Sequence, residues 1–185
     1  MDMDERAKTA RRNVGKPGPT KVYQWLCSVS GKELQYEGGN RLLDIGCGYG
    51  QGAPYLTEAG WEWTGNDLVF REGSSNHGTW VSPLGLQYAL EDGARWDVVA
   101  LSNVVNVQRN LEELRELRAL CYAALRPGGC IVGNYPATPR YLHVHTIGDL
   151  VRILERLPQM GTGEQPFTCQ HVDPRQFLFV LKKNQ

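Results

Sequence analysis

The 185-residue chain predicts an α/β fold: a doubly wound, mostly parallel seven-stranded sheet with a reversed last strand. Three observations carry this expectation. From residue 41 onward, short apolar runs of strand length alternate with segments of helical periodicity, the pattern of parallel strands joined by crossover helices. The first strand runs into Gly46-Cys47-Gly48-Tyr49-Gly50, three glycines at alternate positions before a helical segment. Near the C-terminus two apolar runs are joined by Asp173-Pro174-Arg175, a connection too short for a crossover, which makes that pair antiparallel.

Each element follows in order. Residues 41–45 read as a short buried strand and residues 51–59 as a helix that Gly60 ends. Residues 61–66 form a second strand with Asp67 at its edge. After the polar stretch Glu72-Gly73-Ser74-Ser75-Asn76-His77-Gly78, residues 79–82 fit a short third strand and residues 83–90 a helix. Trp96-Asp97-Val98-Val99-Ala100-Leu101 is apolar enough for a strand buried on both faces. Asn110 caps a helix over residues 111–125, whose Leu111, Leu114, Leu117 and Leu120 recur at helical spacing. Arg126-Pro127-Gly128-Gly129 reads as a turn before a strand over 130–134. A helix over 147–157 and strands over 165–170 and 176–181 complete the sheet.

Composition excludes several classes. Lys plus Arg equals Asp plus Glu, 20 each, so the chain as a whole is no polyanion binder, although a local patch is allowed. No apolar run reaches the length of a membrane span, and the first residues lack the pattern of a signal peptide. Five cysteines without a C-x-x-C spacing fit reduced thiols in a cytoplasmic protein, and no metal site is expected.

The charge is unevenly placed. Between residues 6 and 32 there are seven cations (Arg6, Lys8, Arg11, Arg12, Lys16, Lys21, Lys32) and no acid. Gly15-Lys16-Pro17-Gly18-Pro19 must be an irregular turn, and Thr20 then caps a helix carrying Val22, Tyr23, Trp25 and Leu26. Residues 1–40 are therefore read as a basic N-terminal arm and docking helix. The arm either contacts nucleic acid or closes over a ligand, unless it is simply a solvated terminus.

The glycine loop carries the chemistry. Alternating glycines let a ligand touch the main chain, and the following helix directs N–H groups toward it. Asp67, seventeen residues after Gly50, is placed to accept hydrogen bonds from a ribose diol. The G-x-G-x-G spacing, Asp44 just before it and Asp67 after it together resemble motif I and the following acid of the class I (Rossmann-like) S-adenosyl-L-methionine (SAM)-dependent methyltransferases. A strand opening on Trp96-Asp97, then Ser102-Asn103, a helix, and Leu125-Arg126-Pro127-Gly128-Gly129 opening another strand adds a second, independent likeness. The family's reversed last strand matches the antiparallel ending.

The resemblance implies that residues 41–185 bind SAM as cofactor. It implies that Gly46, Gly48 and Gly50 lie along the methionine portion and ribose, that Asp67 takes the ribose hydroxyls, and that Leu68 adjoins it. It further implies that Ser102 and Asn103 hold the methionine amino group through the main chain, and that Asp44 orients the loop. The family's acid that holds the adenine amino group aligns with Ser82, with Glu91 and Asp92 as substitutes. Candidate catalytic residues at the ends of the fourth and fifth strands are Asn103, Asn106, Tyr135, Arg140 and His143, with Tyr141 beside them.

The acceptor is less directly marked. The Asn/Asp-Pro-Pro-aromatic signature of DNA amino-methylating enzymes is missing after the fourth strand, where Ser102-Asn103-Val104-Val105 stands. Lys8-Thr9-Ala10-Arg11-Arg12 with Gly15-Lys16-Pro17, the glycine loop, and Asn103-Val104-Val105-Asn106-Val107 are together similar to methyltransferases associated with DNA phosphorothioation. With the basic stretch, this favours a DNA or RNA acceptor. So short a chain would then use its arm, a protein partner or a homodimer to hold substrate. A small-molecule methyltransferase and a SAM-binding accessory subunit that transfers nothing remain as alternatives.

Overall fold

The computed structural model describes residues 19–68, 77–135, 144, 146–156 and 165–184. Two helices precede the sheet: α1 (Lys21–Leu26) and α2 (Val29–Gly38). Then follow β1 (Arg41–Ile45), α3 (Ala53–Glu58), β2 (Glu62–Asn66), β3 (Thr79–Val81), α4 (Pro83–Glu91) and β4 (Trp96–Leu101). A 3-10 turn (Val105–Val107) leads to α5 (Leu111–Ala124), β5 (Leu125–Asn134), α6 (Ile147–Arg156), β6 (Phe167–Asp173) and β7 (Leu178–Lys183). The seven strands lie in the order β3-β2-β1-β4-β5-β7-β6, with β7 antiparallel to both its neighbours and the other pairings parallel. The doubly wound sheet with its reversed last strand is the one the sequence predicts.

Alternation along the strands builds two cores. Leu43, Ile45, Val99, Leu101, Ile131 and Phe179 face one side, where α4, α5 and α6 supply Leu86, Leu114, Cys121, Leu150 and Leu154. Leu42, Trp63, Val98, Ala100, Val132 and Val180 face the other, covered by Val22, Tyr23 and Leu26 of α1 and by Ala53 and Leu56 of α3. The helix after β1 and the helix after β4 thus lie on opposite faces. The sheet order reverses between these two neighbouring strands, and a crevice opens at their carboxyl ends.

Several boundaries differ from expectation, each for a local reason. Helix α3 begins at Ala53, not residue 51, because residues 51 and 52 complete the glycine turn. Strand β5 starts at Leu125, which pairs with Trp96. Arg126-Pro127-Gly128-Gly129 is an irregularity inside the strand, spanning the register shift before Cys130 meets Val98. An Arg126–Asp97 ion pair lies at that bulge, and Asp97 also accepts the Arg41 N–H at 2.8 Å. Helix α2 was not anticipated; its apolar residues follow no strong helical stripe. Residues 1–18, which carry five of the seven cations of the basic stretch, lie outside the described residues, as do Arg140, Tyr141 and His143.

Candidate active site

The glycine loop after β1 is built on left-handed backbone, with φ of 70° at Gly46, 60° at Gly48 and 68° at Gly50. Its main-chain donors are largely used within the protein. The Asn66 carbonyl accepts from Gly46 N–H at 2.7 Å and Cys47 N–H at 3.2 Å, and Gly50 N–H donates to the Cys47 carbonyl at 3.0 Å. Gly48 N–H donates to Asp67 Oδ2 at 2.8 Å. The loop therefore presents no row of free N–H groups at these four positions. A Cβ on Gly46 would lie 2.6 Å from Val104 Cγ2, and one on Gly50 would lie 2.5 Å from the Trp80 ring. Gly50→Ala combines that clash with a left-handed conformation costing about 1–2 kcal/mol. It is expected to lower the melting temperature by roughly 2–8 °C in a thermal scan.

Asp44 plays a different part from the one the resemblance implies. It is fully buried on the α1 side of the sheet and binds none of the loop's described N–H groups. Its Oδ2 accepts from Tyr23 Oη at 2.9 Å and from Trp63 Nε1 at 3.1 Å. Its strand position directs the side chain beneath the loop, onto the face where α1 packs. Loop orientation falls instead to the Asn66 carbonyl and Asp67. Burial pushes the Asp44 carboxyl up to about 7, against the Trp63 and Tyr23 donors that favour its charged form. Burial first, and then the Asp44 carboxylate, raises the Tyr23 phenol well above its ordinary value. Trp63 meets Trp80 edge to face at 5.1 Å, which links this cluster to the ring beside Gly50. Tyr23 and Trp63 were readable only as core residues. The signal that marks them is the buried carboxylate between them, which needs donors.

Asp67 is half-buried at the carboxyl end of β2, and Leu68 beside it is 56% exposed, an apolar side chain left open at the crest. Ser82 caps α4, its Oγ accepting from Gly85 N–H at 2.9 Å, so that oxygen is engaged with the helix it starts.

Across the crevice, Ser102 Oγ donates to Thr20 Oγ1 at 2.8 Å, joining the end of β4 to the start of α1. Asn103 has φ of 61°, and its N–H donates to Asn134 Oδ1 at 2.7 Å. That N–H is spent within the protein. Asn134 Nδ2 in turn donates to Asn103 Oδ1 at 2.8 Å. Asn106 sits on the 3-10 turn with Oδ1 buried and unpaired among the described residues. Tyr135 is no catalytic residue: it is 1% exposed, on the face of α5 and α6, with Oη donating to the Val144 carbonyl at 3.2 Å. One residue past Asn134, the pleat turns it to the wrong side of the sheet. The structure thus brings Gly46, Gly48, Gly50 and Asp67 together on one side of the crevice and Ser102, Asn103 and Asn134 on the other.

A doubly wound seven-stranded sheet with a reversed last strand, a bare glycine loop after β1 and a carboxylate closing β2 define the class I methyltransferase architecture, whose methyl donor is SAM. The family described as "Methyltransferase domain" matches residues 21–178, and the chain belongs to it. A TehB-like SAM-dependent methyltransferase from Corynebacterium glutamicum superposes with a TM-score of 0.63 at 17% identity, covering 98% of this chain and 97% of that one. The N-methyltransferase NodS from Bradyrhizobium japonicum, in complex with S-adenosyl-L-homocysteine, gives 0.62 at 16% identity, covering 97% and 98%. Against two other methyltransferase structures, one of them from Streptococcus mutans, the chain spans about half their length, 46% and 48%. At these identities the likeness is one of fold. No curated protein matches the sequence. The glycine turn and Asp67 suit the shared donor: the turn brings main chain to the carboxyl end of β1, and the Asp67 carboxylate that anchors it at Gly48 is a charged acceptor placed for a ribose diol.

Proposed function

We propose that this chain transfers the methyl group of SAM to an acceptor in nucleic acid, DNA or RNA, presented at the rim between β4 and β5. One observation carries the reading: the Thr20–Ser102 hydrogen bond roots the acid-free basic stretch beside the candidate donor site. Cations entering from Lys21 backward along the chain would meet a polyanion there. In this reading residues 1–40 serve as arm and docking helix, and residues 41–185 as the catalytic domain. A protein partner or second copy would extend the surface. SAM supplies a methyl on a good leaving group, so the protein's task is to align the acceptor and exclude water. Asn103 and Asn106 are the described candidates for that alignment. None of the five cysteines is joined in a disulfide, the state a cytoplasmic location would maintain.

A mobility shift with DNA and RNA over a salt series tests the acceptor class. Binding that weakens steeply with salt is expected, because phosphate contacts release counterions. Deleting residues 1–16 should spare the fold by circular dichroism and flatten that salt dependence; unchanged binding would show that the arm plays no part. A small-molecule acceptor is the second reading, favoured by the likeness to the magnesium protoporphyrin IX methyltransferase from Synechocystis PCC 6803, 17% identical with a TM-score of 0.57 over 97% of this chain and 80% of that one. Tritiated SAM offered with mixed acceptors separates both from an accessory subunit, which would label nothing.

A further inference from the structure

The Asn103–Asn134 pair has a directional consequence. A main-chain N–H can only donate, so the Asn134 atom facing Asn103 N–H must be the amide oxygen. The other atom of the Asn134 amide is then its nitrogen, and it donates to Asn103 Oδ1. The Asn103 oxygen is engaged by that bond, and the orientation of its amide is set. What remains of Asn103 is its NH2 group, which has no partner among the described residues on a side chain that is only half-buried. Asn103 itself is held left-handed, one of two non-glycine residues so held among the described residues. The other, Phe177, passes its carbonyl to Tyr135 N–H, beside Asn134, and its ring lies 5.9 Å from the Lys21 ammonium. Two backbone outliers flanking one strand end suggest a site whose geometry is enforced by its surroundings.

We propose that Asn134 is a positioning residue that turns Asn103 into an obligate hydrogen-bond donor, so that the rim selects an acceptor carrying a carbonyl or oxyanion oxygen beside the methylated atom. An amide presenting its oxygen would instead grip an amino group. Here that oxygen is turned toward Asn134, and an amino group would face two N–H donors and be rejected. In a nucleic acid this favours the oxygen-bearing edges of guanine, uracil or thymine over the amino edges of adenine and cytosine. The inference rests on the reading that the methyl acceptor enters at this rim.

The test uses the full chain saturated with S-adenosylhomocysteine, with the Asn103 side-chain amide followed by NMR. N,N-dimethylacetamide is the oxygen-only probe and pyrrole the N–H-only probe. In the unaltered protein dimethylacetamide shifts the Asn103 amide saturably and binds at least about fivefold better than pyrrole, the ratio one net hydrogen bond supplies. In Asn134→Asp the carboxylate still accepts the Asn103 N–H, but its second oxygen draws the Asn103 NH2 inward and turns Oδ1 outward, so the preference reverses. Asn134→Ala, which adds no charge, releases the amide and abolishes the preference. An unaltered protein that ignores dimethylacetamide or answers both probes alike overturns the proposal, as does an Asn134→Asp protein that keeps the original order. Should Asn134→Asp not fold, the unaltered protein and Asn134→Ala decide. The salt-series mobility shift reads the nucleic-acid reading separately, so failure of one is not failure of the other.

Discussion

Asp67→Ala is expected to weaken SAM binding about a hundredfold while the protein stays folded. The carboxylate stands at the carboxyl end of β2, facing the crevice where the sheet order reverses, and it accepts the Gly48 N–H at 2.8 Å. Its removal has two effects. The ribose hydroxyls lose a charged acceptor, and hydrogen bonds to charged groups contribute about 1.5–3 kcal/mol each. The glycine loop also loses the side-chain anchor at its centre, although the Asn66 carbonyl still holds Gly46 and Cys47. Two such bonds amount to about 3 kcal/mol or more, hence roughly two decades in affinity. Titration calorimetry with SAM reads this directly, and a circular dichroism spectrum checks the fold. Unchanged affinity would remove the ribose from this end of the crevice.

Asp44→Asn is expected to stabilise the protein at alkaline pH and to leave it unchanged in acid. The ordinary carboxyl value is 3.8, and burial raises it to about 7 in the folded chain. The sign follows from linkage. Below 3.8 the group is protonated in both folded and unfolded chains, and the folded state bears no penalty. As pH rises toward 7, the unfolded chain ionises freely while the folded one resists, so stability falls through that window. Above it the buried charge costs up to about 4 kcal/mol relative to a neutral isostere. In the substituted protein an amide oxygen at the Oδ2 position would accept from both Tyr23 and Trp63, as the acid does. Urea unfolding of both proteins across pH 4 to 9 is the measurement. A difference between them that does not change with pH would show that folding does not raise the Asp44 carboxyl above its ordinary value.

Both expectations concern carboxylates singled out in the sequence, and they differ in how much of their surroundings is local along the chain. The place of Asp67 at the end of β2, beside the glycine loop, was legible because it depends on a position along one strand and a count of residues from the loop, both local quantities. Asp44 was legible as important but not in its partners. The sequence suggested a loop-orienting acid, whereas Tyr23, twenty-one positions earlier, and Trp63, nineteen later, enclose it. No periodicity within a segment announces that two distant aromatic side chains share one carboxylate. Tyr135 failed for a related reason. It adjoins Asn134 in the chain, but pleating sends neighbours to opposite faces, and which face bears the site is settled only when helices cover the sheet. The bulge in β5 was misread as a turn because Arg126-Pro127-Gly128-Gly129 has turn chemistry, and only pairing of Leu125 with Trp96 shows that the strand had already begun.

Alternating hydrophobic periods, three spaced glycines and one phased acid were enough to establish the sheet, its winding and the crevice, since each depends on near neighbours and general rules of chain handedness. Packing decided the rest. It placed Tyr23 and Trp63 around Asp44, tied Thr20 to Ser102, and closed the amides of Asn103 and Asn134 on each other across thirty-one positions. Hydrogen bonds between residues so far apart follow from how strands and helices are assembled, and assembly is a property of the whole chain that no short stretch encodes.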